Sequence, residues 1–210
     1  MRDFSAGSLR LYLVTDRGIA GRRDMMDIVS EAVAGGVTMV QLREKMCCTR
    51  EFVELARGLK RILSASGVPL IINDRVDVAL ASGADGVHIG QSDMPYDMAR
   101  SLLGDDSIIG LSVENFGQIV ESNAIDVEYI GVSPVFSTPT KTDTAKPFGL
   151  DGLREAVRLS QHPVVGIGGI NIGNAAEVMD CGADGIAVVS AIMAADSPRE
   201  SAKQLFELAL

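Results

Sequence analysis

Short apolar runs alternate with amphipathic stretches along almost the whole chain. Leu9–Thr15 (LRLYLVT) is rich in β-formers and predicts a first strand, and Asp24–Ala34 places apolar residues at helical spacing before a Gly35-Gly36 stop. The same beat then repeats. Strands are predicted at Thr38–Leu42, Pro69–Ile72, Gly86–Ile89, Ile108–Val113, Tyr129–Val132, Pro163–Ile167 and Gly185–Val189. Between and after them, helices are predicted at Arg50–Ala65, Val76–Ala81, Met94–Leu103, Phe116–Ser122, Leu150–Ser160, Ile172–Asp180 and Pro198–Leu208, the last with proline in its first turn.

Strict alternation of continuous apolar strands with helices demands a parallel sheet covered on its faces. About eight strand–helix units close as a small, compact α/β single (β/α)8 TIM barrel spanning residues 1–210 as one domain. An open doubly wound sheet is the alternative, because periodicity does not prove closure. An internal echo supports two halves built alike: Gly83-Ala84-Asp85-Gly86-Val87 recurs as Gly182-Ala183-Asp184-Gly185-Ile186. The pattern breaks at Ser133–Leu150 (SPVFSTPTKTDTAKPFGL), whose prolines, hydroxyls and lysines suit a loop that clasps a phosphorylated ligand or a solvated surface excursion.

Composition narrows the function. With 47% hydrophobic residues and 22 glycines the chain is globular, and its net charge of −9 with interleaved signs argues against a nucleic-acid binder. The absence of a signal-like start or of an 18-residue apolar run predicts a cytoplasmic protein without membrane association. Cys47, Cys48 and Cys181 lack the number and spacing of a disulfide framework or zinc site.

In either parallel architecture, ligands bind beyond the carboxyl ends of the strands. The second strand ends in Gln41-Leu42-Arg43-Glu44-Lys45, where alternation lets Gln41, Arg43 and Lys45 point together toward a polyanion such as a diphosphate. Asn73-Asp74 and Gly90-Gln91-Ser92-Asp93 end the third and fourth strands, and Asp74 with Asp93 matches an Mg²⁺ arrangement of one or two carboxylates. The blander readings are a surface patch at 41–45, helix capping by Asp74 and a turn role for Asp93. Ser112 ends the fifth strand, and Thr138, Pro139, Thr140 and Lys141 lie in the long loop. Gly168-Gly169 and Val189-Ser190 end the last two strands, where barrels frequently bind phosphate, unless these glycines serve only tight packing. His88 and His162 read as structural histidines, and no base or nucleophile stands out. The implied chemistry is electrostatic.

QLREK at 41–45, IIND at 71–74, GQSD at 90–93, GLS at 110–112, TPTK at 138–141, GIGGI at 166–170 and VVSAI at 188–192 together resemble thiamine phosphate synthases, in the order that family shows them. The resemblance implies a small barrel transferase of thiamine biosynthesis. It would join 4-amino-2-methyl-5-hydroxymethylpyrimidine diphosphate to hydroxyethylthiazole phosphate, giving thiamine phosphate and pyrophosphate. It implies that Asp74 and Asp93 bind one Mg²⁺ per active site. Gln41, Arg43, Lys45, Asn73, Ser112 and Lys141 would hold the pyrimidine diphosphate, with Arg43, Lys45, Lys141 and Ser112 in catalytic roles. Thr138, Pro139, Thr140, Gly169, Val189 and Ser190 would hold the thiazole phosphate. The implied mechanism ionises the pyrimidine and captures the carbocation with the thiazole nitrogen. Barrels of this kind commonly self-associate, which leaves a homo-oligomer open. The related thiazole tautomerases share the fold but need no diphosphate or metal end, so Asp74, Asp93, Arg43 and Lys141 favour the synthase. A non-catalytic phosphate-ligand sensor or a phosphosugar isomerase on the same barrel are the remaining alternatives.

Overall fold

The computed structural model describes residues 4–137 and 146–210. Eight parallel strands close into a barrel in chain order, β1 pairing with β2 on one side and with β8 on the other. They are β1 (Leu11–Val14), β2 (Met39–Leu42), β3 (Leu70–Asn73), β4 (Gly86–Ile89), β5 (Ile108–Val113), β6 (Tyr129–Val132), β7 (Val164–Ile167) and β8 (Gly185–Val188). The helices are α1 (Arg17–Ala20), α2 (Met25–Ala34), α3 (Thr49–Ser64), α4 (Val76–Ser82), α5 (Tyr96–Leu103), α6 (Phe116–Ser122), α7 (Gly149–Leu159), α8 (Ala175–Met179), α9 (Ser190–Met193) and α10 (Pro198–Leu208). This is the closed (β/α)8 barrel; the open sheet is excluded.

Strand alternation sorts the core into two compartments. Leu11, Leu13, Val40, Leu42, Leu70, Ile72, Val87 and Ile130 face outward and pack under the helices. α3 meets them with Phe52, Ala56, Leu59 and Leu63, an apolar stripe at helical spacing. Tyr12, Val14, Met39, Ile71, Ile108, Tyr129, Val165 and Ala187 face inward and fill the barrel floor with Leu9.

The internal echo has a structural cause that repeats four times. The residue just before each even strand accepts a hydrogen bond from an amide near the start of the preceding odd strand. Thr38 Oγ1 accepts from Leu11 N at 3.0 Å and Asp85 Oδ2 from Leu70 N at 2.8 Å. Glu128 Oε2 accepts from Ile109 N at 2.6 Å and Asp184 Oδ2 from Val164 N at 2.8 Å. These side chains satisfy amides at the amino-terminal rim, and Lys60 and Arg100 neutralise Asp85 and Glu128.

Sequence and structure differ where elements are short. A 3₁₀ turn at Ala6–Leu9 replaces the start of the first predicted strand. The helix predicted from Ile172 begins at Ala175, because Asn171 Oδ1 accepts from Gly173 N and Asn174 Oδ1 from Asn171 N, each at 2.8 Å. Those side-chain bonds hold the segment in a turn. The long loop is pinned at its base, where Phe148 N and Gly149 N donate to the carbonyls of Pro134 and Val135 at 2.9 Å. Thr138, Pro139, Thr140 and Lys141 lie outside the described residues.

Candidate active site

A cavity of about 490 Å³ opens at the carboxyl ends of the strands. It brings together Gln41, Arg43, Lys45, Asn73, Asp74, Asp93, Ser112, Gly169, Val189 and Ser190, every described residue singled out for the site. Strand parity explains the cationic wall. Gln41, Arg43 and Lys45 turn to the cavity, while the intervening Glu44 turns to Arg17, its carboxylate 2.8 Å from Nε. Arg17 also binds Glu51 at the start of α3, so these ion pairs tie the start of α1 to the segment carrying Arg43 and Lys45. Thr15 Oγ1 accepts from Arg43 N at 3.2 Å, and Asp16 Oδ2 stands 3.5 Å from the Arg43 guanidinium.

The carboxylates adjoin it on the same wall. Asp74 does not cap α4; its Oδ2 accepts from Lys45 Nζ at 2.7 Å, and its backbone sits at φ 62°. That left-handed conformation costs a residue with a side chain about 1 kcal/mol or more, a kind of strain that concentrates at functional sites. Asp93 takes the turn role, with Oδ2 accepting from Gly90 N at 2.7 Å. Burial raises the Asp93 pKa above the ordinary carboxylate range, and the neighbouring Asp74 carboxylate raises it further. Among the described residues no group of three or more His, Cys, Asp or Glu side chains is arranged to hold a metal ion. A pair of crowded carboxylates is instead the donor set of a hard cation that completes its shell with water and phosphate oxygens. The residues fit Mg²⁺.

Across the cavity the walls are backbone. Gly168 and Gly169 have φ of 105° and 69°, and a Cβ on Gly169 would stand 2.8 Å from Phe136 Cβ and 2.9 Å from Ser137 O. Asn174 Nδ2 donates to Gly169 O at 3.0 Å and fixes this turn. Ser190 opens α9, so its amide and that of Ala191 are first-turn donors without helical acceptors. Glycine backbone beside free amides suits a phosphate.

The matched sequence family decides the lineage: thiamine monophosphate synthase, over residues 11–192. The chain belongs to the thiamine monophosphate synthase family. It is 55% identical over 206 residues to the thiamine-phosphate synthase of Albidiferax ferrireducens, covering 98% of this chain and 94% of that protein. It is 50% identical to the thiamine-phosphate synthase of Vibrio parahaemolyticus, covering 95% and 97%. The solved thiamine phosphate pyrophosphorylase from Pyrococcus furiosus superposes with a TM-score of 0.89 at 39% identity, covering 97% of this chain and 96% of that one. Thiamine-phosphate synthesis, a transferase reaction, is the chain's activity. Among the described residues no helix is long and apolar enough to cross a membrane.

Several residues of this synthase-family cavity escape a reading of the sequence. Tyr12, Thr15, His88, Gln91 and Tyr129 also line it. His88 is satisfied, as a structural histidine should be, but by groups of the cavity floor: Tyr129 Oη at 3.0 Å and Ser112 Oγ at 2.8 Å. Burial lowers its pKa from 6.5 to about 4, against a smaller opposing pull from the Asp74 carboxylate, so its ring is neutral. The available signal was parity, since His88 stands two residues before Gly90 and shares its inward side. His162 is structural in the simple sense, with Nε2 bonded to the Ser122 carbonyl at 2.9 Å.

Proposed function

We propose that the cavity binds two phosphorylated substrates at opposite ends and releases diphosphate from one of them. The pyrimidine diphosphate would lie along Gln41, Arg43, Lys45, Asn73 and Ser112, and the thiazole phosphate along Gly169, Val189 and Ser190. Thr138, Pro139, Thr140 and Lys141 would complete the two ends from the long loop. The observation that carries this reading is the cavity's polarity: cations and paired carboxylates on one wall, glycine backbone and first-turn amides on the other.

Asp74 and Asp93 would hold Mg²⁺, which when bound neutralises charge on the diphosphate. Lys45 bridges the metal and diphosphate regions, since it pairs with Asp74 while lining the same wall. Arg43 is held at its amide by Thr15 and at its guanidinium by Asp16, which aims it without consuming its donors. These cations would stabilise the departing diphosphate as the pyrimidine carbon gains positive charge. The thiazole nitrogen, positioned through its phosphate, would then form the new C–N bond. The cavity's neutral His88 and protonated tyrosines offer no strong base, in keeping with a reaction that needs none. The substrates are small phosphorylated molecules; the protein would act in the cytoplasm.

Two variants test the polarity. Asp93→Asn should raise the Mg²⁺ concentration for half-maximal activity by roughly tenfold or more, as expected for losing a charged ligand, while the KM for thiazole phosphate stays put. Gly169→Ala should do the reverse, because its Cβ meets Phe136 and Ser137. If each variant moved both constants equally, the two ends would not be separate.

A further inference from the structure

Beneath the cavity an unbroken hydrogen-bond chain crosses the barrel through five strands. Gln41 Nε2 reaches Tyr12 Oη at 2.7 Å, and Tyr12 Oη reaches Tyr129 Oη at 2.8 Å. Tyr129 Oη reaches His88 Nδ1 at 3.0 Å, and His88 Nε2 reaches Ser112 Oγ at 2.8 Å. The chain begins and ends on residues that line the cavity, and its middle lies in the apolar floor formed with Leu9, Met39, Ile71 and Ile108.

Each link fixes the next. An amide nitrogen only donates, so Tyr12 accepts from Gln41 and spends its own proton on Tyr129. Tyr129 then donates to His88 Nδ1. A neutral imidazole has one donor and one acceptor, so His88 carries its proton on Nε2 and donates to Ser112. Ser112 accepts there, which frees its hydroxyl proton for the cavity. At the other end, Gln41 has committed its nitrogen inward, which leaves its Oε1, an acceptor only, as the amide's other polar atom. The Gln41 amide turned the other way would reverse every bond and exchange donor for acceptor at both ends.

We propose that Tyr12, Tyr129 and His88 are positioning residues: together they fix the Gln41 oxygen as an acceptor and the Ser112 hydroxyl as a donor toward the bound substrate. The barrel is shaped around them. A Cβ on Gly110 would stand 2.1 Å from Tyr129 Cζ, and one on Gly131 would stand 3.2 Å from His88 Cε1. Small residues at these two inward positions create the seats for the phenol and the imidazole. Ring packing holds them, with Tyr12 edge-on to Tyr129 at 5.8 Å and His88 tilted against Tyr129 at 5.5 Å. Burial raises the pKa of both tyrosines, which keeps their protons available to the chain. Resting on the reading that Gln41 and Ser112 face the pyrimidine, the pair selects a ring edge with a donor beside an acceptor. With the ring held in one orientation by its diphosphate, an amino group facing Gln41 and a ring nitrogen facing Ser112 satisfy the pair, whereas a keto group and a ring N–H in the same two places are mismatched.

The test reads the proton directly. The chain has two histidines, so long-range ¹H–¹⁵N correlation on the labelled full-length protein, with His162→Gln for assignment, reports which His88 nitrogen is protonated. The expected result is a single Nε2–H tautomer. Gln41→Glu, measured above pH 8 so that the carboxylate is charged, replaces the donor with an acceptor. It should flip His88, which it does not touch, to the Nδ1–H tautomer. Adding Tyr12→Phe should cut the relay and abolish the flip. An Nδ1–H tautomer in the unmodified protein, or a flip that survives Tyr12→Phe, overturns the proposal. In turnover, Tyr129→Phe should raise KM for the pyrimidine diphosphate roughly tenfold, the scale of one misdirected hydrogen bond, and leave KM for thiazole phosphate within about twofold. An equal rise in both also overturns it. A protein that makes no thiamine phosphate at all refutes the pyrimidine reading instead, and the tautomer measurement still decides the chain.

Discussion

Replacing His88 with glutamine should change how the fold responds to acid. Free histidine titrates at 6.5, whereas burial at the cavity floor lowers His88 to about 4. Between these values the unfolded chain binds a proton that the native ring refuses, so stability falls as pH falls. The His88 contribution is complete above pH 6.5 and is lost as pH drops toward 4. One proton held differently costs about 1.36 kcal/mol per pH unit, so the whole window is worth about 3 kcal/mol. This is an upper value, because the ring borders an open cavity. Against a typical domain stability of about 5–15 kcal/mol, such a loss is readily measured. Urea unfolding of the unmodified protein and His88→Gln, compared from pH 8 to pH 4 at fixed salt, isolates the histidine from the carboxylates that also titrate. The two stability curves should converge as pH falls, the variant losing about 3 kcal/mol less. Parallel curves would refute the burial argument and, with it, the neutral ring assigned to the site.

Three further outcomes follow from other parts of the molecule. Asp184→Ala should destabilise the barrel by about 1–3 kcal/mol, the cost of an amide left without its acceptor, yet keep turnover near normal; thermal melts and steady-state rates check both. Mg²⁺ affinity should weaken on acidification at a higher pH than an ordinary carboxylate would dictate, because Asp93 is raised by burial and by Asp74, and calorimetric titration of Asp93→Asn should lose that dependence. Lys141→Ala should lower turnover by about 10²-fold, the scale of one lost charge stabiliser in a departing-group site; near-normal turnover would remove the long loop from the chemistry.

Much of this architecture was legible because strand and helix periods differ, and because glycine and proline punctuate the chain between them. β4, β5, β6, α6 and α10 begin and end where the pattern places them. Closure was not legible from periodicity alone; it depends on β1 pairing with β8, residues far apart in sequence. The four-residue helices α1 and α9 escaped because so short a segment holds about one turn, too little for an apolar face to repeat. The site was legible where charged or glycine-rich residues cluster at strand ends, as at 41–45 and 166–170. Its floor was not. Tyr12, His88 and Tyr129 are single residues within apolar strands, and only the barrel, which turns alternate side chains of separate strands to one axis, makes them neighbours. Asp85 and Asp184 show a middle case: the sequence echo was visible, while its purpose required the strand amides they satisfy.

The most direct test is pyrophosphate release by the purified protein with both substrates, with each substrate alone, and with or without Mg²⁺. Release that needs the pyrimidine diphosphate, the thiazole phosphate and the metal together, in step with thiamine phosphate formation, is the predicted result. Release without the thiazole phosphate, or full activity after Mg²⁺ is removed by chelation, would contradict the two-ended site on which the account rests.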